Sequence, residues 1–322
     1  MYEQTKALME GKAVDKPIYN HVTGVFDPAE KIESPSILIL EGLHPFADER
    51  VRDMFDFKIY LDISDDVKFA WKAQRDIAER GATMEDVQAA IDARKPDFAA
   101  YVEPQKEKAD IVVQVLLSDL IDDPTGKFLK VKLIQRKDAA VKPAYFFDEG
   151  AKIEWTPNPD KLTTNAPGVK IASYDDMWYD QPVSVVEMDG KVENLEELIY
   201  VESHLCDSGT KFYGELTEQI VKNKAAPGSE NGTGLFQTLC SFKIREAYEA
   251  LTDGVPLRME DGDEGNGGGE KSGKADWSTE KTRHWRRSSF RAAAKATIHS
   301  YVIGPNSPKT MSEHRRKSCG LS

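Results

Sequence analysis

The sequence predicts an α/β protein: a mixed sheet flanked by helices, followed by an antiparallel portion toward the C-terminus. Three observations carry this. A run of four aliphatic residues, Ile37 to Leu40, is closed by Glu41-Gly42, as in a central strand buried on both faces. Further apolar runs at 57–63 and 111–116 alternate with helical patterns, the signature of a doubly wound sheet. After Pro124 the period changes, and Leu129, Val131 and Leu133 alternate with Lys130 and Lys132 as on a half-exposed strand.

Taken in order, Met1 to Met9 has helical spacing and Gly11 stops it. The stretch 17–34 carries Pro17, Asn20, Gly24 and Pro28 and is predicted to be loop. Ser64 is an N-cap, with Asp65 and Asp66 set against the positive end of a helix that runs to Gly81. Thr83-Met84-Glu85-Asp86 reads as a capping box for the next helix, ended by Lys95-Pro96. Strands are expected at 152–155, 169–174 and 183–188, and helices around Phe212, Leu216 and Ile220 and from Leu235 to Leu251. The segment from Gly254 to Ser322 is different in kind. Its acidic, Gly-rich part, Glu260 to Lys274, is too poor in apolar side chains to offset the entropy of ordering. Residues 1–253 are therefore expected to fold and 254–322 to form a disordered tail.

Bulk properties narrow the function. A net charge of −12 opposes binding to nucleic acid or an anionic membrane, so an anionic ligand must meet a local cluster of Lys and Arg. No apolar run approaches the ~20 residues of a spanning helix. Cys206, Cys240 and Cys319 lie far apart and form no metal-ligand spacing, which suits a reducing compartment.

Three constellations carry chemistry. Glu41, at the end of an aliphatic run, has the form of a Walker B carboxylate that holds Mg²⁺ beside phosphates, although a Glu capping a nearby helix gives the same pattern. Lys72, Arg75, Asp76, Glu79 and Arg80 share one helix face; composition alone describes a solvated face laced with ion pairs. Tyr19 and His21 offer hydrogen bonds to sugar hydroxyls, or simply pack locally. The string Gly268 to Ala275 imitates G-x4-G-K, but Ala275 stands where Mg²⁺ needs a Ser or Thr hydroxyl and no buried strand precedes it. The 322 residues contain no Walker A loop.

The segments KPIYNHVTGVFDP (16–28), ILILEGLHPFADERVRDMFDFKIYLDISDDVKFAWKAQRDIAERG (37–81) and IDARKPDF (91–98) strongly resemble phosphoribulokinases of photosynthetic eukaryotes and cyanobacteria. So do ELIYVESHL (197–205), TKFYGELTEQI (210–220), PGSENGTGLFQT (227–238) and KIREAYE (243–249). Uridine kinases share only the first loop and the Walker B strand. The resemblance implies a P-loop kinase fold and transfer of the ATP γ-phosphoryl group, with Mg²⁺, to the 1-hydroxyl of ribulose 5-phosphate in the Calvin cycle. By it, Asp76, Lys72 and Arg80 are catalytic, Glu41 and Asp76 hold the metal, and Tyr19, His21, Arg75 and Arg94 bind substrate. It also implies a homodimer in the chloroplast stroma and a complex with glyceraldehyde-3-phosphate dehydrogenase and a small linker protein.

Three departures from the family pattern set further expectations. The family's first strand, P-loop and catalytic Asp segment correspond to sequence upstream of Met1, as would a transit peptide, so the 322 residues alone are expected not to turn over. A non-catalytic fragment or assembly-only protein, and more remotely a uridine kinase relative, are the rival readings. Asn158 and Thr164 stand where plant enzymes carry regulatory cysteines, which implies no C-terminal thiol switch. The family also ends near Leu251, so the tail is an extension or a gene-model artefact.

Overall fold

The computed structural model describes residues 1–20, 23–147, 152–157, 160–164 and 168–252. The expected tail, His21 and Asn158 lie outside them. Helix α1 (Tyr2–Met9) leads into a hairpin of β1 (Val14–Asn20) and β2 (Val25–Ile32), and a short helix α2 (Glu49–Arg52) follows. Then come β3 (Ile59–Ile63), α3 (Asp65–Arg80), α4 (Met84–Asp92), α5 (Lys95–Asp97) and a run of π and 3₁₀ turns over Phe98–Val102 and Glu103–Lys108. Strands β4 (Ile111–Leu117), β5 (Leu129–Arg136), β6 (Tyr145–Phe146), β7 (Ile153–Trp155), β8 (Val169–Trp178) and β9 (Gln181–Gly190) precede α6 (Leu198–Glu202), β10 (Leu205–Cys206), α7 (Glu215–Lys222) and α8 (Gly232–Leu251).

The main sheet has six strands in the order β3-β4-β5-β9-β8-β7. Only β3 and β4 run parallel, joined through α3 and α4; every other neighbour is antiparallel. The expected antiparallel C-terminal portion is therefore the larger part of the sheet. Its pleat sorts the side chains. Ile111, Val113 and Val115, with Leu129, Val131 and Leu133, enter one core beneath α3, α7 and α8, whereas Val112, Ile134, Val183 and Val185 enter a second core with Phe46 and Ala109. Lys130 and Lys132 stay half-exposed between the apolar positions, as the period-2 pattern requires.

Helix α8 is the main lid of the first core. Leu235, Phe236, Leu239 and Phe242 are each almost fully buried, and burying such a side chain contributes about 1.5–3 kcal/mol. Gly232 lets its first turn approach the sheet, because a Cβ there would stand 2.9 Å from the Val131 Cβ.

Three local expectations are corrected. The loop expected over 17–34 is a hairpin, β1 pairing antiparallel with β2. Its prolines misled the reading: Pro17 and Pro28 both fall in the register break between Lys16 and Ile18, where the ladder asks no N–H of them. Almost all of β2 is exposed, so no burial period marks it as a strand. Conversely, Ile37 to Leu40 forms no strand. An aliphatic run becomes a strand only where a neighbouring backbone completes its ladder, and among the described residues β3 is the edge of the sheet. Pro96 also does not end the helical stretch; it sits in the first turn of α5, where the missing N–H costs nothing. No helix among the described residues is long and apolar enough to cross a membrane.

Candidate phosphate-binding site

Helix α3 positions the charged stripe, and its ends are set as the sequence predicts. Ser64 caps it by accepting from the Val67 N–H at 3.4 Å, and Gly81 closes it in the left-handed conformation. Val67, Ala70 and Ala73 are buried, and the Trp71 indole donates to the Gly126 carbonyl at 2.9 Å. With that face held by the core, Lys72 and Arg75 are turned toward the space beside the open edge of β3.

Asp76 ties the two cations together. Lys72 Nζ donates to Oδ2 at 2.6 Å and Arg75 Nε to Oδ1 at 2.9 Å, and the carboxylate itself is buried. Arg75 first and Lys72 second hold its pKa down at about 2, against desolvation that pushes the other way. The carboxylate is thus ionised at any physiological pH.

Next in the chain, α4 opens with the predicted capping box: Thr83 Oγ1 accepts from the Asp86 N–H, and Asp86 accepts from the Thr83 N–H. The turn beyond it delivers Arg94, which is exposed. Arg94, Lys72, Arg75 and Glu41 all line one cavity of about 1230 Å³. Its floor is apolar, formed by Leu8, Leu38, Ile59, Ile63 and Leu251 among others, and lies along the open edge of β3. The carboxyl end of β3, which runs parallel to β4, lines the same cavity through Asp62, Ile63 and Ser64, and such strand ends are where α/β sheets bind ligands.

The site is therefore partly as expected. Glu41 is an exposed residue of the segment after the unpaired run, so it reaches the cavity from a loop and not from a strand end. Tyr19 is on the exposed hairpin with its ring edge against Phe26 at 5.5 Å, and it is not among the described residues that line the cavity. Arg80 lies in the last turn of α3. Reasoning from sequence missed Lys68 and Lys95, which line the same cavity. For Lys68 the signal was present: it stands four residues before Lys72, and the stripe extends one turn further than it was read.

Among the described residues no three His, Cys, Asp or Glu side chains gather as a metal cage. Mg²⁺ does not require one, since it is commonly held by one or two carboxylates, waters and substrate phosphates. Glu41 lines the cavity with an oxygen donor of that kind, whereas Asp76 is not among the residues lining it and gives its two carboxylate oxygens to Lys72 and Arg75.

The chain is similar to known kinases. The model of the "Phosphoribulokinase / Uridine kinase family" matches residues 1–122. The chain is 58% identical over 260 residues to a chloroplastic phosphoribulokinase of Chlamydomonas reinhardtii, covering 80% of this chain and 69% of that protein. It is 54% identical over 253 residues to the phosphoribulokinase of Synechocystis, covering 78% and 76% respectively. A uridine kinase of Lactococcus lactis is 38% identical over 120 residues, or 37% of this chain. The chain spans about two thirds of the length of the chloroplast relatives, 69% for Chlamydomonas and 64% for Arabidopsis thaliana.

Proposed function

Since the chain belongs to the phosphoribulokinase and uridine kinase family, we propose that it serves as a phosphoribulokinase, moving the γ-phosphoryl group of ATP to the 1-hydroxyl of ribulose 5-phosphate. One observation carries the choice within the family. Likeness to uridine kinase covers 37% of the chain, whereas likeness to phosphoribulokinases runs on over 78–80%, through the antiparallel part of the sheet and α8. The relatives' name places them in the chloroplast, and the stroma is the compartment proposed here. The homodimer and the dehydrogenase complex rest on the resemblance alone.

Phosphoryl transfer asks a protein mainly to position two phosphates and to neutralise charge. The sugar hydroxyl oxygen bonds to the γ-phosphorus as the bond to the bridging β–γ oxygen breaks, and the hydroxyl proton leaves to a base. In this chain Lys72, Arg75 and Arg94 would bind phosphate oxygens on the cavity wall, and Arg80 would offset charge on the transferring group. Glu41 would hold Mg²⁺, joined by Asp76 once Lys72 or Arg75 turns from it to a phosphate oxygen. When bound, that ion screens the polyphosphate and polarises its oxygens. Lys72 and Arg75 are already aligned by Asp76, so little side-chain freedom is lost when phosphate arrives.

The test is calorimetric binding of ribulose 5-phosphate and of uridine to the 322-residue chain. Ribulose 5-phosphate should bind and uridine should not. Phosphoryl transfer is then measured with the chain joined behind the N-terminal segment of the Chlamydomonas relative, because these residues hold no Walker A loop. A preference for uridine, or no ATP-dependent consumption of ribulose 5-phosphate by the joined protein, would overturn the reading.

A further inference from the structure

We infer that Lys68 is a further phosphate-binding residue of this site, forming with Lys72 and Arg75 a row of three cations along the cavity wall. The inference deepens the kinase reading and rests on it. Positions 68, 72 and 75 are i, i+4 and i+7 of α3, so their side chains leave one face of the helix, and all three line the cavity.

Lys68 differs from its two neighbours in what holds it. Lys72 and Arg75 both spend a donor on the buried Asp76 carboxylate, which neutralises much of their charge toward an arriving anion. The Lys68 ammonium instead lies 4.2 Å from the centroid of the Phe98 ring. An aromatic face fixes a cation in place through its quadrupole without cancelling its net charge. The carboxylate beside Lys68 is Asp65, 3.4 Å away with a side chain 86% exposed, and so loose and wet a pair contributes little. Two other acids of the cavity wall, Asp62 and Glu103, are engaged by Lys106 at 3.7 and 3.0 Å. Lys68 is thus the member of the row with its charge most available.

Phe98 adds a second consequence. It follows Arg94 and Lys95 by four and three residues, so its contact with Lys68 ties the turn that carries those cations to the face of α3. A phosphate monoester, doubly charged and with three terminal oxygens, requires donors converging from more than one side. The row on α3 and the turn held by Phe98 supply two such sides.

The experiment measures binding of ribulose 5-phosphate, ADP and inorganic phosphate to the 322-residue chain by calorimetry. Lys68→Met keeps the apolar stem against Phe98 and removes the charge. It should weaken binding of a phosphate ligand about tenfold, the usual loss for one charge-assisted hydrogen bond. Lys68→Arg should restore most of it, and Tm should stay unchanged in both, which a merely structural role for Lys68 would not produce. Phe98→Leu should give a smaller loss of the same kind. Loss with ribulose 5-phosphate alone assigns Lys68 to the sugar phosphate, and loss with ADP alone assigns it to the nucleotide. Either outcome supports the proposal. If Arg75→Met weakens binding and Lys68→Met does not, the inference falls and the kinase reading stands. If the unaltered chain binds none of the three ligands, both fall.

Discussion

Replacing Asp76 with Asn keeps the shape of the side chain and removes the charge that Lys72 and Arg75 share. The ionised carboxylate has a pKa of about 2 in the folded protein against 3.8 for the free group, so it favours the folded state wherever it is charged. Taken at face value the shift corresponds to about 2 kcal/mol; Lys72 and Arg75 are themselves about a fifth to a quarter exposed, and solvent screening brings this nearer ~1 kcal/mol. Asp76→Asn should therefore lower Tm by about 2–4 °C at neutral pH. Because the folded pKa lies below the unfolded one, the contribution is complete above about pH 4 and fades as pH falls toward 2. Urea midpoints of wild type and variant should differ most near neutrality and converge on acidification. The same substitution frees two cations, so inorganic phosphate should bind about three- to tenfold more tightly to the variant. In the joined protein, phosphoryl transfer should nevertheless fall by on the order of a hundredfold or more, since the carboxylate proposed to hold Mg²⁺ is lost. A stability gap independent of pH, or weaker phosphate binding by the variant, would refute the assignment of Asp76 as the ionised anchor of this pair.

Other perturbations test the scaffold. The buried Glu202 carboxylate accepts from the Gly214, Leu216 and Thr217 N–H groups and the Thr217 hydroxyl at 2.6–3.2 Å, so Glu202→Ala should cost about 2–3 kcal/mol in chemical denaturation by orphaning the first turn of α7. Gly190 has φ +93°, and a Cβ there would stand 2.2 Å from the Gly168 carbonyl oxygen; Gly190→Ala should lose about 3 kcal/mol or more, read as a drop in Tm or in soluble yield. Burial pushes the Cys240 thiol up to about 12, so alkylation followed by mass spectrometry should leave it unmodified in the native protein and modify it once urea unfolds the chain.

The elements that could be read from the chain are those whose signals are local. Ser64 and Gly81 bound α3, and Thr83 with Asp86 opens α4, because a cap is a contact between residues a few positions apart. The apolar runs of β4, β5, β8 and β9 declare themselves because burial on one or both faces imposes a period on the strand itself. The charged stripe of α3 was legible for the same reason as far as Lys72 and Arg75, though it begins a turn earlier, at Lys68. What those residues do to one another was less so. That Asp76 would be buried and take both Lys72 and Arg75, while Lys68 would rest on a phenyl ring thirty positions away, depends on how the helix is rotated against the sheet and on where the chain returns. The largest failures have a single cause. The aliphatic run at 37–40 looks like a strand and the proline-bearing hairpin at 14–32 does not, yet the first is unpaired and the second is paired. A strand is completed by a neighbour's hydrogen bonds, and which backbone lies alongside is decided by the fold, at a separation no local pattern encodes.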